Sequence, residues 1–402
     1  MPKNLIILWS LAAIISYFLT SMVNFYQLVF PLIFSVLIIF FIRILRVKYI
    51  SYLLFFSISF ASLLGLTQSL TGSHAEISNI YLYGLSFYTA SIAYLLAKDQ
   101  LNTSKALNVS NPLLLITGPI ALFVRPYFHR KLTERIKYYF PFVLVGLFMF
   151  QIVASPLTEL FFLLDRIDAA SSIVFAIIFE IFVYMNFCGL SLAIYGLFGV
   201  IGYRIPLNFK QPFSSSNIVD FWRGWHVSLS EVLKVLFYKP IRNKFSLPVA
   251  LLGVYLASAM WHGVTLNFFI WGTFHALMFW ITILLFKQNM FKLAFFILPF
   301  AIVVGRLIFA DSDSTRLLEK LSFNFTNFDG VKLLIGAPIT SIISLLLGLG
   351  IVLTEFIFRN TSIMQKRNYK YLRTPSMLVL ITFIGLLLIS DVGIDYAVYG
   401  QR

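Results

Sequence analysis

The sequence has few charged residues, few histidines and a single cysteine. Only 12% of its 402 residues are charged and 59% are hydrophobic, whereas a soluble protein usually carries about twice that charged fraction. Since so few charges cannot cover a surface in water, we expect lipid to cover much of the chain. Cys188 has no second cysteine with which to form an internal disulfide. Gly-x-Ser-x-Gly, His-Glu-x-x-His, Walker and acidic metal-binding motifs are absent from the sequence, so we expect no metal and no tightly bound cofactor.

Acidic residues are scarcer than basic ones. The sequence has 31 Lys and Arg against 16 Asp and Glu, a formal net charge of +15. In a soluble protein this excess would suggest nucleic acid as a partner. Here the basic residues lie in short loops between apolar runs, which is typical of cytoplasmic loops beside anionic lipid headgroups. We therefore predict a membrane lipid environment and no nucleic-acid partner.

Long apolar runs predict an all-α, polytopic membrane protein with about eleven transmembrane helices, forming one domain over residues 1–402. The runs cover residues 5–20, 26–42, 49–70, 79–97, 138–154, 170–200, 248–262, 266–286, 291–309, 333–357 and 374–390. The first run lacks a small-residue cleavage site, so we interpret it as a transmembrane helix rather than a signal peptide.

The basic loops alternate with the apolar runs, which places the N-terminus in the cytoplasm and the 391–402 tail outside the cell membrane. This path requires that the short run 112–124, which contains Gly118 and Pro119, does not cross. We predict a re-entrant or interfacial segment there, because irregular backbone at membrane depth must be surrounded by protein or line a cavity.

The loop 204–246 is the longest polar segment on the predicted cytoplasmic side. From Phe221 to Leu233, hydrophobic residues recur every four positions, which predicts an amphipathic helix under the bundle, close to the bilayer plane. Ser216 or Asn217 could cap it. The hydrophobic face consists of Phe221, Trp225, Leu229 and Leu233.

His262 closes a short apolar run. A helix over 248–262 would rise only about 22 Å, against a hydrocarbon core of about 30 Å. If it enters from the cytoplasm, His262 lies within the membrane, beside the turn at 264–267. An ionisable side chain is costly there and is typical of a functional site. The alternative is a buried histidine satisfied by one helix carbonyl.

Ordered motifs in the sequence resemble the membrane-bound O-acyltransferase family. They are NF at 208–209, PF at 212–213, DFWRGWHVSLS at 220–230, WHG at 261–263 and GTFH at 272–275. The resemblance is strongest to the bacterial branch that decorates surface polymers, which includes the membrane subunits for alginate O-acetylation and teichoic-acid D-alanylation. Weaker similarities at 84–89, 117–120 and 187–196 extend it over a catalytic core of about 80–311.

The resemblance implies a bundle with a central tunnel, in which an acyl group passes from a cytoplasmic thioester to an extracytoplasmic hydroxyl. The donor would be an acyl-carrier phosphopantetheine thioester or acetyl-CoA, and the acceptor a polymer or a partner protein. The family's catalytic histidine corresponds to His262, whose neutral imidazole can accept the hydroxyl proton. His226 corresponds to a residue of the donor entrance. Its alternative is a polar tip on an amphipathic face.

Other site candidates each keep an alternative. Arg223, beside Trp222, could bind a phosphate of a pantetheine arm or a lipid, but an arginine beside a membrane is expected anyway. Asn208 matches the family motif and is either a site residue or a turn residue. His275 either lines the tunnel or hydrogen-bonds between helices. The predicted site comprises catalytic His262 and His226 and substrate-binding Arg223, Trp222, Asn208, Trp261 and His275.

Two questions stay open at this level. The residues around Leu192 and Ile241 depart from the acetylation branch, whereas the segment 309–311 resembles it, so the acyl group is either acetyl or D-alanyl. A transporter or flippase is the rival class, because polar residues such as Asn186 and His275 in apolar runs would suit a transport path. Against it, we detect no internal repeat.

The predicted topology can be tested with single cysteines at Ser73 and Lys244 in a Cys188→Ala background. These positions lie in loops assigned to opposite sides of the membrane. An impermeant thiol reagent added to intact cells should label the first and not the second. Labelling of both positions from outside would contradict the eleven-helix path.

Overall fold

The structure, a computed structural model, is mostly helical with one pair of short strands. It describes residues 37, 49–64, 75–111, 114, 119–126, 131–325 and 328–359. The first part of the described chain contains α1 (Ile50–Leu63), α2 (Ala75–Ala97), α3 (Thr103–Val109), β1 (Arg125–Pro126), α4 (Leu132–Leu147) and α5 (Ala169–Ile201). A π-helical segment, Phe148–Ala154, and a 3-10 segment, Ser155–Asp165, continue α4.

The second part begins at β2 (Tyr203–Arg204). It contains α6 (Ile218–Gly224), α7 (Val227–Leu233), α8 (Lys239–Arg242), α9 (Leu247–His262), α10 (Leu266–Lys287), α11 (Phe291–Ala310), α12 (Ser314–Leu321), α13 (Asp329–Lys332) and α14 (Ile339–Ile357). Three short segments lie between them: 3-10 turns at Pro212–Ser214 and Leu333–Gly336, and a π-helical segment at Lys234–Tyr238.

Five helical segments in the described part are long and apolar enough to cross a membrane. They are Leu132–Asp165, Ala169–Ile201, Leu266–Lys287, Phe291–Ala310 and Ile339–Ile357. Shorter apolar helices cover Ile50–Leu63, Leu85–Ala97 and Leu247–His262. The prediction of a multi-pass helical protein is confirmed at this level. The runs 5–20 and 374–390, and 26–42 apart from Leu37, lie outside the described residues, so the count of eleven and the central tunnel stay predictions.

Helix α5 lies at the centre of the bundle and packs against α4, α11 and α14. Its closest approach is to α4, where Gly146 faces Gly189. A methyl group at Gly146 would come within 2.4 Å of the Gly189 carbonyl oxygen, and one at Gly189 within 2.7 Å of the Gly146 oxygen. Small residues let helix backbones pack this closely in membrane proteins, where dispersion contacts drive association. These two glycines therefore set the spacing of α4 and α5.

The run 112–124 ends in irregular backbone. Residues 119–124 adopt no helix, and β1 then pairs antiparallel with β2, with Arg125 opposite Arg204. Ile120 and Ala121 are buried, so protein surrounds the first part of this irregular segment. Its re-entrant course stays a prediction.

The single amphipathic helix predicted from Asn217 onward is wrong. Two helices, α6 and α7, cover this stretch, and the chain breaks between them at Trp225 and His226. The predicted apolar face is buried inside the protein, because Phe221, Trp225, Leu229 and Leu233 are each at most 6% exposed. The four-residue spacing of the hydrophobic residues therefore arises because two short helices each bury one face. The proposed cap is confirmed, since Asn217 accepts a 2.9 Å hydrogen bond from the Asp220 backbone.

A cluster of charges fastens the end of α11. Asp311 is fully buried and accepts two 2.8 Å hydrogen bonds from Arg316 and one of 2.7 Å from Lys320. Arg316 also pairs with Asp165 at 2.8 Å, which ties α12 to the segment before α5. Burial would raise the pKa of Asp311, but the hydrogen bonds from Arg316 and Lys320 outweigh it, so the pKa is lowered.

We predict that Asp311→Asn lowers the free energy of unfolding by about 3 kcal/mol or more, because it leaves the buried Lys320 without its carboxylate and removes one of the two carboxylates that pair with the partly exposed Arg316. Since the folded pKa is lowered, the parent should gain this stability above the unfolded value of about 3.9 and lose it as the pH falls through the folded pKa. Thermal unfolding of the purified protein measures both effects.

Lys234→Gln is the matched control, because Lys234 pairs with Glu231 on the surface, where the side chains are 54% and 34% exposed. An exposed pair contributes roughly 0–1 kcal/mol, so the control should unfold near the parental temperature. An unchanged midpoint for Asp311→Asn at neutral pH would contradict the structural role of this cluster.

Candidate active site

The break between α6 and α7 is held by backbone pairing with the segment at 208–210. Lys210 N donates to Gly224 O at 2.8 Å, and Val227 N donates to Asn208 O at 2.7 Å. Between these two bonds His226 adopts a left-handed conformation, with φ 42° and ψ 55°. A non-glycine residue persists in this region only when its surroundings fix it. The motif segments 208–210 and 224–227 therefore act together to position one histidine.

Asn208 is part of that scaffold. Its Oδ1 accepts a 2.7 Å hydrogen bond from the Ser228 hydroxyl, whose oxygen accepts from Ile120 N at 3.1 Å. The next residue, Ala121, donates to Ser91 Oγ at 2.9 Å. Asn208 thus joins the irregular segment 119–124 to the start of α7. The structure places it beneath the backbone of His226.

The imidazole of His226 is buried and has a defined acceptor atom. Nδ1 accepts from Leu229 N at 3.3 Å, so the neutral ring carries its proton on Nε2. Nε2 has no hydrogen-bond partner among the described residues. His226 lies outside the candidate spans, and burial first, then the neighbouring His262, lower its pKa to about 3. At neutral pH His226 is therefore an uncharged hydrogen-bond donor.

Six aromatic rings form a continuous row in which histidine and tryptophan alternate. In order they are His226, Trp261, His262, Trp271, His275 and Trp222, with ring centroids 6.0, 5.0, 5.9, 5.0 and 5.0 Å apart. We call this the His–Trp row. The structure thus brings together the three predicted histidines and both predicted tryptophans, and Trp271 joins them.

His262 ends α9 at the centre of the row and is half-buried, whereas His226 and His275 are 5% and 3% exposed. Its ring also contacts Phe309 and Phe268, at centroid distances of 5.1 and 6.0 Å. Aromatic faces therefore restrict the orientation of the imidazole. Of the three histidines, His262 has the largest exposed fraction.

His275 lies at the far end of the row, against α11. A methyl group at Gly305 would come within 2.2 Å of His275 Nε2, so the ring fits there only because that residue is glycine. The Tyr255 ring stacks on His275 at 6.1 Å. This tight packing favours the helix-contact role over the tunnel-lining role for His275.

A buried ion pair lies beside the row and was missed in the sequence reasoning. Arg306 of α11 pairs with Glu180 of α5, and both side chains are 7% exposed. The guanidinium lies over the rings of Trp225 and Phe309, at 5.2 and 5.5 Å. The available signal was one acid in the run 170–200 and one arginine in 291–309, since ionisable residues in membrane helices usually pair.

This ion pair shares a small cavity with the end of the row. The cavity has a volume of about 10 Å³ and is lined by Glu180, Trp222, His275 and Arg306 among others. Glu180 Oε1, Trp222 Nε1 and His275 Nδ1 are buried without a hydrogen-bond partner among the described residues. Such a volume is close to the minimum for one water molecule. The end of the row is therefore polar but too narrow for a larger substrate group.

Arg223 lies apart from this arrangement. Its side chain is 72% exposed and pairs with Asp220 at 3.1 Å. The neighbouring Trp222 points into the protein and contacts His275. The side chains of Arg223 and Trp222, which were predicted to act together, therefore lie apart. Arg223 is a surface residue and Trp222 belongs to the His–Trp row.

Residues 109–305 match the model of the membrane-bound O-acyltransferase family, MBOAT, and the chain carries a domain of this family. The matched region contains the whole His–Trp row. The family resemblance that the sequence motifs indicated is therefore confirmed.

Curated relatives include both acetylating and D-alanylating proteins. The chain is 28% identical over 220 residues to the probable alginate O-acetylase AlgI of Pseudomonas aeruginosa, covering 50% of this chain and 42% of the relative. It is 37% identical over 100 residues to the peptidoglycan O-acetyltransferase of Helicobacter pylori, covering 24% and 18%. It is 28% identical over 111 residues to the teichoic acid D-alanyltransferase of Bacillus subtilis, covering 25% and 28%. In each case the match spans less than half of the relative's length.

The scaffold around His226 can be tested with Ser228→Ala. The change leaves the buried Ile120 N–H without its acceptor, which costs about 1–3 kcal/mol, and Asn208 Oδ1 keeps only the 3.4 Å contact from the backbone N–H of residue 228. Thermal unfolding should shift down accordingly. Ser230→Ala is the control, because the Ser230 hydroxyl makes a long, 3.5 Å contact with Trp225 O and the substitution keeps the backbone hydrogen bond to His226 O. Equal midpoints for both variants would show that the Asn208–Ser228 bridge does not hold the break.

Proposed function

We propose that this chain is a multi-pass cell-membrane O-acyltransferase. It moves an acetyl or D-alanyl group from a cytoplasmic thioester to a hydroxyl of an extracytoplasmic envelope polymer or of a partner protein that relays the group. The observation that carries the proposal is the His–Trp row, in which the half-buried His262 lies one indole away from the buried His226, whose Nδ1 accepts a hydrogen bond and whose Nε2–H is left to donate. The family and the named relatives support the same class of reaction.

The proposed chemistry needs a base and a hydrogen-bond donor. His262 accepts the proton of the acceptor hydroxyl as its oxygen attacks the thioester carbonyl. The new C–O bond forms, the C–S bond breaks, and the donor leaves as a thiol after it takes up a proton. His226 suits the second role, because its Nε2–H can donate to the carbonyl oxygen as negative charge develops there. Direct transfer of this kind requires no covalent enzyme intermediate.

The proposal assigns the donor to the cytoplasmic side, as an acyl-carrier phosphopantetheine thioester or acetyl-CoA that binds only for turnover. Trp261 separates His226 from His262 and would pack against the acyl-bearing end of the arm. Arg223 and Asn208 are proposed to act at the donor entrance and in the scaffold of His226.

A transporter or flippase remains the second candidate, and the buried Glu180–Arg306 pair is the observation that favours it. The two classes differ in a direct assay. Purified chain, a radiolabelled donor and an acceptor polymer should give labelled polymer only if covalent transfer occurs. Using acetyl-CoA and a D-alanyl carrier protein in separate reactions also identifies the acyl group.

The central test of the mechanism is His262→Gln, which keeps polarity and roughly the size but removes the base. General-base assistance contributes about 10²- to 10⁴-fold, so the transfer rate should fall at least 10²-fold. Membrane insertion and thermal unfolding should stay near those of the parent, because the side chain is half-buried. Parental transfer should rise with pH as the imidazole loses its proton.

His275→Gln is the comparison variant, since His275 lies in the same row but packs against α11. It should reduce transfer less than His262→Gln does and lower thermal stability more. A well-folded His262→Gln protein that transfers at the parental rate would remove the base from the mechanism and favour the transporter.

A further inference from the structure

A cavity near the start of the basic loop lies where β1 and β2 pair. It has a volume of about 340 Å³ and is lined by Phe123, Arg125, Pro126, Tyr195, Arg204, Ile205, Pro206 and Leu207. This volume falls within the range of about 300–1,000 Å³ that is usual for small-molecule sites. Both arginine side chains are exposed, so a ligand in solution or at the membrane surface can reach them.

The two arginines are direct cross-strand partners. Arg125 pairs in register with Arg204. Residues directly opposite each other in a strand pair lie on the same face, so one ligand can contact both guanidinium groups. Guanidinium groups bind phosphate oxygens through paired, charge-assisted hydrogen bonds.

The rest of the lining limits the kind of anion. The cavity presents Phe123 and Tyr195 together with two prolines, and Arg125 lies 5.0 Å from the centroid of the Phe123 ring. A free inorganic anion would leave these apolar surfaces uncovered. A phosphate ester, which carries an organic arm, matches both the charged and the apolar parts of the lining.

The arginine pair is connected to the candidate site by short lengths of chain. Arg204 precedes Asn208 by four residues, a span of at most about 14 Å. Arg125 follows Ile120 by five residues, and Ile120 and Asn208 both hydrogen-bond to Ser228 beside His226. The same two segments therefore form the arginine pair at one end and the scaffold of His226 at the other.

We propose that Arg125 and Arg204 form a binding site for a phosphate ester at the entrance to the His–Trp row. The ester is either the phosphate of a donor's phosphopantetheine arm or that of an anionic phospholipid. The first source rests on the proposed function, and the second does not. In the donor case the phosphate is held at the strands while the thiol end of the arm extends toward His226. The phosphate contact is thereby assigned to this pair, and Arg223, which pairs with Asp220, keeps a place at the donor entrance without that contact.

The experiment measures binding without turnover. Calorimetric titration of the purified full chain should show that 4′-phosphopantetheine binds at least about tenfold more tightly than pantetheine, which lacks only the phosphate. Arg125→Gln and Arg204→Gln should each reduce this preference, and the double variant should abolish it. Arg204→Lys, which keeps the charge without the planar fork, should retain part of it.

Arg242→Gln is the matched control, because Arg242 is an exposed arginine in the same basic loop and its Nη1 donates to Phe245 O. It should keep the full preference. The lipid source is tested by thermal unfolding in nanodiscs with and without phosphatidylglycerol. If a lipid phosphate occupies the site, the anionic lipid should stabilise the parent and the control but not the double variant, and phosphopantetheine should show no preference over pantetheine.

The proposal is overturned if the double variant keeps the parental phosphate preference, or if the parent shows neither that preference nor a response to anionic lipid. A transfer assay on the parent separates this result from the proposed function. If phosphopantetheine binds through the arginines but the parent transfers no acyl group, the site stands and the acyltransferase is removed. Transfer with a donor KM that the arginine variants do not change leaves the acyltransferase standing and removes the site.

Discussion

Polar backbone groups buried inside a protein need partners from the protein itself, because burial removes them from water. In this chain that constraint is most demanding where the backbone leaves helical geometry, at 119–124, at 208–210 and between α6 and α7. These three irregular segments satisfy one another through Asn208 and Ser228. The left-handed turn at His226 exists because the segments meet there. The position of His226 is therefore a consequence of pairing the backbone, and it depends on residues more than a hundred positions away.

Buried ionic interactions hold α11 at two places, where charged groups also need partners from the protein itself. Glu180 and Arg306 join α5 to α11 inside the bundle, and the arginine is covered by aromatic rings. Asp311 lies five residues after Arg306, at the end of α11, and forms ion pairs with Arg316 and Lys320. Breaking either pair leaves an uncompensated charge, so the first restricts how α11 can move relative to α5 and the second how it can move relative to α12. Because Phe309 lies between them and contacts His262, the position of α11 also fixes one wall around the proposed base.

The His–Trp row shows how one residue type serves different purposes in different surroundings. His226 is buried, neutral and committed through Nδ1, so it can donate but not readily accept a proton at Nε2. His262, at a helix end, retains exposure and suits proton transfer. His275 is packed against the backbone of α11 at Gly305. The indoles between these residues hold the rings apart.

The amino-acid sequence alone determined the class of the protein. It also singled out the three histidines that the structure brings together in the His–Trp row. Hydrophobic runs report local burial in lipid, and the ordered motifs report a family, and neither signal needs a tertiary structure. Periodicity did not determine the shape of the segment after Asn217, because a four-residue spacing does not distinguish one helix from two. The break at His226 comes from hydrogen bonds to Asn208 and Lys210. The tertiary structure also decided that Glu180 meets Arg306 and that Arg125 faces Arg204, because both contacts depend on how distant segments pack and pair.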